Sequence, residues 1–165
     1  MQAVVNKIIP FSSVDGPGNR TAVFLQGCNI NCRYCHNPET RALRKECGLC
    51  VEKCPEQALK KSADGKIIYH PEKCVQCDTC IHVCPHDSSP RTAVMTPEEV
   101  YTKVKKQIPF IRGLTVSGGE CMLRPDFLEA LFVFAKKDGL STMIDSNGTI
   151  PFWEYQSLLE MTDGV

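Results

Sequence analysis

Cys28, Cys32 and Cys35 are spaced four and then three positions apart in a loop that runs on into His36-Asn37. Thiolates so spaced bind soft metals, and their number decides the chemistry. Four close a structural or electron-carrying centre, whereas three leave one coordination position for a substrate. The chain of 165 residues holds eleven cysteines, and no segment reads as a signal peptide: Met1 to Phe11 is broken by Asn6, Lys7 and Pro10. A cytoplasmic location is therefore expected, where thiols stay reduced and cysteines on this scale serve metals. The longest apolar run, Ala130 to Ala135, is too short for a membrane span. With 19 basic and 19 acidic residues the formal net charge is zero, so bulk electrostatics suggest neither a nucleic acid nor a membrane surface as partner.

A second group of thiols is an internal repeat. Cys47, Cys50 and Cys54 recur as Cys77, Cys80 and Cys84 at a constant offset of thirty, and Pro55 recurs as Pro85. The later copy carries the full Cys-x2-Cys-x2-Cys-x3-Cys-Pro run of bacterial ferredoxins, in which the fourth cysteine serves the other copy's cluster. Crossing the ligands predicts one complete set, Cys74, Cys77, Cys80 and Cys54. The other set is Cys47, Cys50 and Cys84 only, because Arg44 stands where the offset places a cysteine, and a guanidinium offers a metal no lone pair. That site reads as a three-iron cluster, as a four-iron cluster completed by Glu46 or an external ligand, or as no cluster; the four-iron form is favoured.

Regular structure must hold these groups in place. Thr21 to Gln26 reads as a buried strand that delivers Cys28 at its carboxyl end. Residues 44–90 form a loop-rich insertion that needs clusters as staples, set within a core made of residues 1–43 and 91–165. Thr96-Pro97-Glu98-Glu99 is a capping box opening a helix over Val100 to Lys106. Leu114 to Ser117 reads as a strand ending in Gly118-Gly119-Glu120. Pro125 to Lys137 is a helix with Phe127, Leu128, Leu131, Phe132 and Ala135 on one face and Gly139 as its stop. Thr142 to Asp145 is the next strand, Asn147-Gly148 its turn and Phe152 to Met161 a further helix; Gly164-Val165 reads as the start of a strand that the sequence leaves unfinished. The alternation predicts an α/β fold with a parallel sheet, open or a partial barrel, and its site at the strands' carboxyl edge. Asp15 and Arg20 are read as braces of the loop beneath the cysteine motif, Cys121 as a packed thiol, and Tyr69 as an aromatic against a cluster.

The motifs together resemble the radical S-adenosylmethionine (SAM) superfamily, and within it the glycyl radical enzyme activating enzymes. The resemblance rests on Asp15-Gly16-Pro17-Gly18-Asn19-Arg20, Phe24 to Cys28, Cys32-Arg33-Tyr34-Cys35-His36-Asn37, Ser117 to Glu120, and Asp145-Ser146-Asn147-Gly148, in family order. The ferredoxin-type insertion and Ile8-Ile9-Pro10-Phe11-Ser12 look like its YjjW-like branch. This resemblance implies a partial (β/α)6-type barrel with a ferredoxin-like bis-cluster insertion. It implies that Cys28, Cys32 and Cys35 are catalytic through a [4Fe-4S] cluster whose fourth iron chelates SAM. Tyr34, Cys35 and His36 would lie along the adenosyl group, Gly118 and Gly119 would admit the ligand, and Glu120 would accept from the methionyl ammonium. Asp145 and Ser146 would stand near the carboxylate, where a monovalent cation can help. Reductive cleavage of SAM would yield a deoxyadenosyl radical that takes hydrogen from a glycine of the partner glycyl radical enzyme, fed by a reduced flavodoxin or ferredoxin-type donor. Further βα units, with an Asp-x-Lys motif, would follow Val165. The alternative is an electron-transfer iron-sulfur protein without SAM chemistry, which has no use for Gly118-Gly119-Glu120 or Asp145 beside an open cluster.

Overall fold

The computed structural model describes residues 1–165, Met1–Val165. Strand β1, Ala3–Ser12, buries Ala3 and Val5 with the period of two that a pleated strand imposes. Strand β2, Arg20–Leu25, is buried along its whole length. It lies mid-sheet, antiparallel to β1 on one side. The chain then enters a small lobe made of α1 (Leu49–Lys53), β3 (Leu59–Lys61), β4 (Ile67–Tyr69) and α2 (Thr79–His82), with β3 and β4 pairing antiparallel. It returns through β5, Ala93–Met95, which adds to the outer edge of β1.

The remaining elements are α3 (Pro97–Lys105), β6 (Gly113–Gly118), α4 (Pro125–Lys137), β7 (Ser141–Ile144) and α5 (Gln156–Glu160). The main sheet has the order β5-β1-β2-β6-β7, with β2, β6 and β7 parallel. Met143 bridges Gly164 in parallel beyond β7. A core of 21 buried residues lies where α3 and α4 cover the sheet. All five residues of the apolar face of α4, Phe127, Leu128, Leu131, Phe132 and Ala135, belong to it.

Three expectations change. The sheet is mixed, because β1 and β5 run antiparallel to their neighbours. Asn6, Lys7 and Pro10 hide β1 from a reading by apolar runs, yet half-exposed positions beside a short edge strand tolerate them. The single helix expected over residues 152–161 is a 3-10 turn, Phe152–Glu154, followed by α5, since Tyr155 leaves the helical region at φ −121° and ψ 61°. Arg20 and Asp15 sit at the opposite end of the strands from the cysteine motif. Arg20 is buried and donates to Thr115 Oγ1 (2.7 Å), Ser141 Oγ (2.8 Å) and the Leu114 carbonyl (2.9 Å), while Thr115 Oγ1 donates to the Asp15 carbonyl (2.6 Å). The guanidinium thus pins the amino-terminal ends of β2, β6 and β7.

The small lobe has a core of only four buried residues, Cys50, Leu59, Ile67 and Cys80. Its two halves repeat in backbone conformation as well as in sequence. Left-handed φ values recur at Glu46 (53°) and Gln76 (55°), at Gly48 (91°) and Asp78 (58°), and at Gln57 (50°) and Asp87 (48°). No helix is long and apolar enough to cross a membrane.

Candidate functional site

The parallel register Leu25↔Gly118 and Val116↔Ile144 brings the carboxyl ends of β2, β6 and β7 out on one edge. The loop after β2 is tied down by backbone bonds, from Gly27 N to the Thr40 carbonyl (2.8 Å), from Cys28 N to the Arg41 carbonyl (2.9 Å) and from Glu120 N to the Gly27 carbonyl (2.8 Å). Gln26 reinforces it: its amide donates to the carbonyls of Glu39 (2.8 Å) and Ala42 (2.6 Å) and its oxygen accepts from Asn6 Nδ2 (2.7 Å). Cys28 and Cys35 are half-buried and Cys32 is exposed. Tyr34 and His36 lie exposed on the same loop.

Glu120 is 2% exposed, which excludes a merely solvated charge. Its Oε1 accepts from Met122 N and Ser146 Oγ, both at 2.9 Å, and its Oε2 accepts from Asn147 N at 2.7 Å. An ionised carboxylate has about four lone-pair sites; about one is left over. Asn147 Nδ2 also donates to Cys28 Sγ at 3.7 Å and to Asn29 Oδ1 at 3.1 Å. One residue on the β7 loop therefore joins the carboxylate to the first thiol. Asp145 accepts from Ser117 Oγ at 2.6 Å across the same two strand ends. The paired glycines serve the chain itself: a Cβ on Gly118 would stand 2.1 Å from the Leu25 carbonyl oxygen, and one on Gly119 would stand 2.2 Å from that of Gly27. Their close approach is to β2 and its loop. Cys121 is wholly buried, and burial drives its thiol far above the ordinary range, so it packs and does not ionise.

In the small lobe Cys54, Cys74, Cys77 and Cys80 line one cavity, joined by Tyr69, Asp78 and Arg91. These are the four thiols that the crossed repeat assigns to one set. Burial first, with the neighbouring Cys80, Cys47 and Cys84 adding to it, pushes the Cys50 thiol up to about 11. The three thiols of the incomplete set are thus neighbours too. Glu46 is engaged elsewhere: Oε1 accepts from Arg44 Nε (2.7 Å) and Oε2 from Ile67 N (2.6 Å). Arg44 also donates to the Pro90 carbonyl at 3.4 Å. No three His, Cys, Asp or Glu side chains converge as ligands of a single ion.

The family model described as the radical SAM superfamily matches residues 22–162. The chain belongs to the radical SAM superfamily. Its cofactors are SAM and a [4Fe-4S] cluster. A Haemophilus influenzae protein provisionally named a glycyl-radical enzyme activating enzyme is 33% identical over 159 residues, which is 96% of this chain and 44% of that protein. The (2S)-3-sulfopropanediol dehydratase activating enzyme of Klebsiella oxytoca is 31% identical over 179 residues, 97% of this chain and 56% of that protein. The chain thus spans about half the length of the curated relatives it matches. The crystal structure of QueE from Escherichia coli superposes with a TM-score of 0.56 at 17% identity, covering 90% of this chain and 54% of that one, a likeness of fold.

For a radical SAM chain the donor set at the strand ends fits the cofactors. Three thiols on one tethered loop would give an open cluster its ligands, and the leftover Glu120 lone pair would give SAM an acceptor linked to Cys28 through Asn147. Buried, crowded thiols such as Cys50 resist ionisation until a metal supplies positive charge. Sequence reasoning missed Asn147, Gln26 and Arg91 as site residues. Each carried a signal: Gln26 and Asn147 lie within the motifs that carry the resemblance, and Arg91 follows Cys84 by seven positions, as Lys61 follows Cys54.

Proposed function

We propose that this chain carries the core of a glycyl-radical enzyme activating enzyme. The observation that supports it most directly is Asn147, which bonds both Cys28 and Glu120 and so holds an open thiol set and a buried acceptor in one frame. When bound, a reduced cluster would supply the electron that splits a carbon–sulfur bond of SAM into methionine and a deoxyadenosyl radical, and that radical would take hydrogen from a glycine of the partner enzyme to leave deoxyadenosine. In this reading Cys28, Cys32 and Cys35 hold the cluster. Glu120 orients the methionyl ammonium with its remaining lone pair, and Asp145 with Ser146 stands near the carboxylate and a monovalent cation. Tyr34 and His36 flank the adenosyl group. The insertion over 44–90 would hold a complete [4Fe-4S] cluster on Cys74, Cys77, Cys80 and Cys54, and a second on Cys47, Cys50 and Cys84. Because Glu46 is committed to Arg44 and Ile67, an external ligand completes that second cluster, or it has three irons. The electron donor is a reduced flavodoxin or ferredoxin, and the compartment is the cytoplasm.

Anaerobic reduction of the cluster-loaded protein with SAM is expected to release deoxyadenosine and methionine, and Cys28→Ser to abolish both. Adding a glycyl radical enzyme encoded beside this gene is expected to give the glycyl radical doublet in electron paramagnetic resonance. Formation of neither product would overturn the reading.

A further inference from the structure

The cavity of the complete thiol set has a wall that the ligand reading leaves unexplained. Arg91 lines it beside Cys54, Cys74, Cys77 and Cys80. Its side chain is only 19% exposed, and its Nη2 bonds Asp78, whose own side chain is 51% exposed. Burying a guanidinium is unfavourable unless it meets negative charge. Asp78 meets part of it, and the rest falls on the cavity that Arg91 lines together with Cys74 and Cys80. Tyr69 lines the same cavity, so a neutral and a charged donor both stand among those thiols. Of the two charges in the ion pair, the carboxylate is the better screened by water and the guanidinium faces the sulfurs.

The thirty-residue offset supplies an internal control. Arg91 maps onto Lys61, and Asp78 maps onto Gly48. Lys61 is exposed, and its Nζ lies 3.7 Å from where a Cβ on Gly48 would stand. Each half therefore keeps a cation seven residues beyond its Cys-Pro cysteine. Only in the later half is it a planar fork, half-buried and paired with a carboxylate.

We propose that Arg91 sets the reduction potential of the cluster held by Cys54, Cys74, Cys77 and Cys80, raising it by favouring the more negative, reduced form. Net charge and hydrogen bonds at the sulfurs are the protein's levers on such potentials. Arg91 is a positioning and tuning residue, not a ligand, and the proposal rests on the reading of those four thiols as cluster ligands.

The test is a potentiometric titration of the cluster-loaded full chain, following the paramagnetic signal that disappears in Cys74→Ala. In Arg91→Gln the midpoint is expected to move negative by about tenfold in the reduction equilibrium, about 59 mV for one electron, at unchanged iron and sulfide content. Arg91→Lys, which keeps the charge and loses the fork, is expected to fall between that variant and the unmodified protein, and Lys61→Gln to leave this midpoint alone. A wild-type midpoint in Arg91→Gln overturns the proposal. Should that variant load no cluster, Arg91→Lys decides: a midpoint below wild type supports it and an equal one refutes it. The complete absence of a Cys74-dependent signal in the unmodified protein overturns both the proposal and the ligand reading beneath it, whereas a signal indifferent to residue 91 overturns the proposal alone.

Discussion

Asn147 has a role that neither of its neighbours can fill, because its backbone N–H goes to Glu120 and its side-chain amide to Cys28. Glu120 in turn depends on being a carboxylate: an amide would turn one donor toward the donors of Met122, Ser146 or Asn147. Glu120→Gln is therefore expected to cost about 1–3 kcal/mol, the usual penalty of a mispaired buried polar group, read from the urea midpoint. The same variant should weaken SAM binding in equilibrium dialysis. Gly119→Ala acts differently, since its new Cβ would press on the Gly27 carbonyl and Thr40 carbonyl, which are backbone and cannot swing aside. It is expected to displace the cysteine loop, so that iron bound at Cys28, Cys32 and Cys35 is lost while iron in the small lobe stays. Iron counting on the variant, with and without the small-lobe cysteines, checks this.

Among the elements, α3 and α4 carry the clearest local signals. Thr96 Oγ1 accepts from Glu99 N (3.2 Å) while Glu99 Oε2 accepts from Thr96 N (2.8 Å), the reciprocal bonds foreseen from the sequence. Thr96→Ala is expected to destabilise the fold by about 1 kcal/mol in chemical denaturation. Where α3 packs on α4, Asp138 accepts from Tyr101 Oη (2.6 Å) and pairs with Lys105 (3.2 Å), and these contacts hold its carboxyl below the usual range. A depressed carboxyl stabilises the fold fully above its unfolded value of about 3.9 and loses that contribution as pH falls below it. Asp138→Asn should accordingly lower stability at neutral pH, where that contribution is present, leave stability at the acid end nearly unchanged, and so flatten the acid limb of a stability-against-pH curve. The parallel strands and α4 were legible because each is either a continuous apolar run or a capped helical stripe. β1 and β5 were not, since a half-exposed strand mixing Asn6, Lys7 and Pro10 with apolar residues has neither signature, and three residues are too few for any pattern. Arg20 escaped for a related reason: a charge at a strand start reads as loop, and only tertiary pairing shows its donors satisfied.

The molecule as a whole has two unequal apolar cores, of 21 and of four buried residues. The smaller cannot carry an ordered lobe of that length without staples. Removing iron with a chelator is expected to raise hydrogen exchange throughout residues 44–90 while α4 stays protected, and equal protection in both states would show that the lobe folds without metal. The grouping of Cys54, Cys74, Cys77 and Cys80 around one cavity was readable from spacing alone, since metal sites draw their donors from fixed intervals. The bond from Asn147 to Cys28, across 119 positions, was not, because it depends on how two loops meet. Position 44, where the repeat offset would place a fourth thiolate, does mechanical work in this chain. Arg44 joins Glu46, and through it Ile67, to the Pro90 carbonyl, so the lobe's entry, middle and exit are fastened together at one point. Placing a cysteine at position 44 would exchange a strut for a candidate ligand, and that point of the lobe would come to depend on iron where it now depends on a side chain.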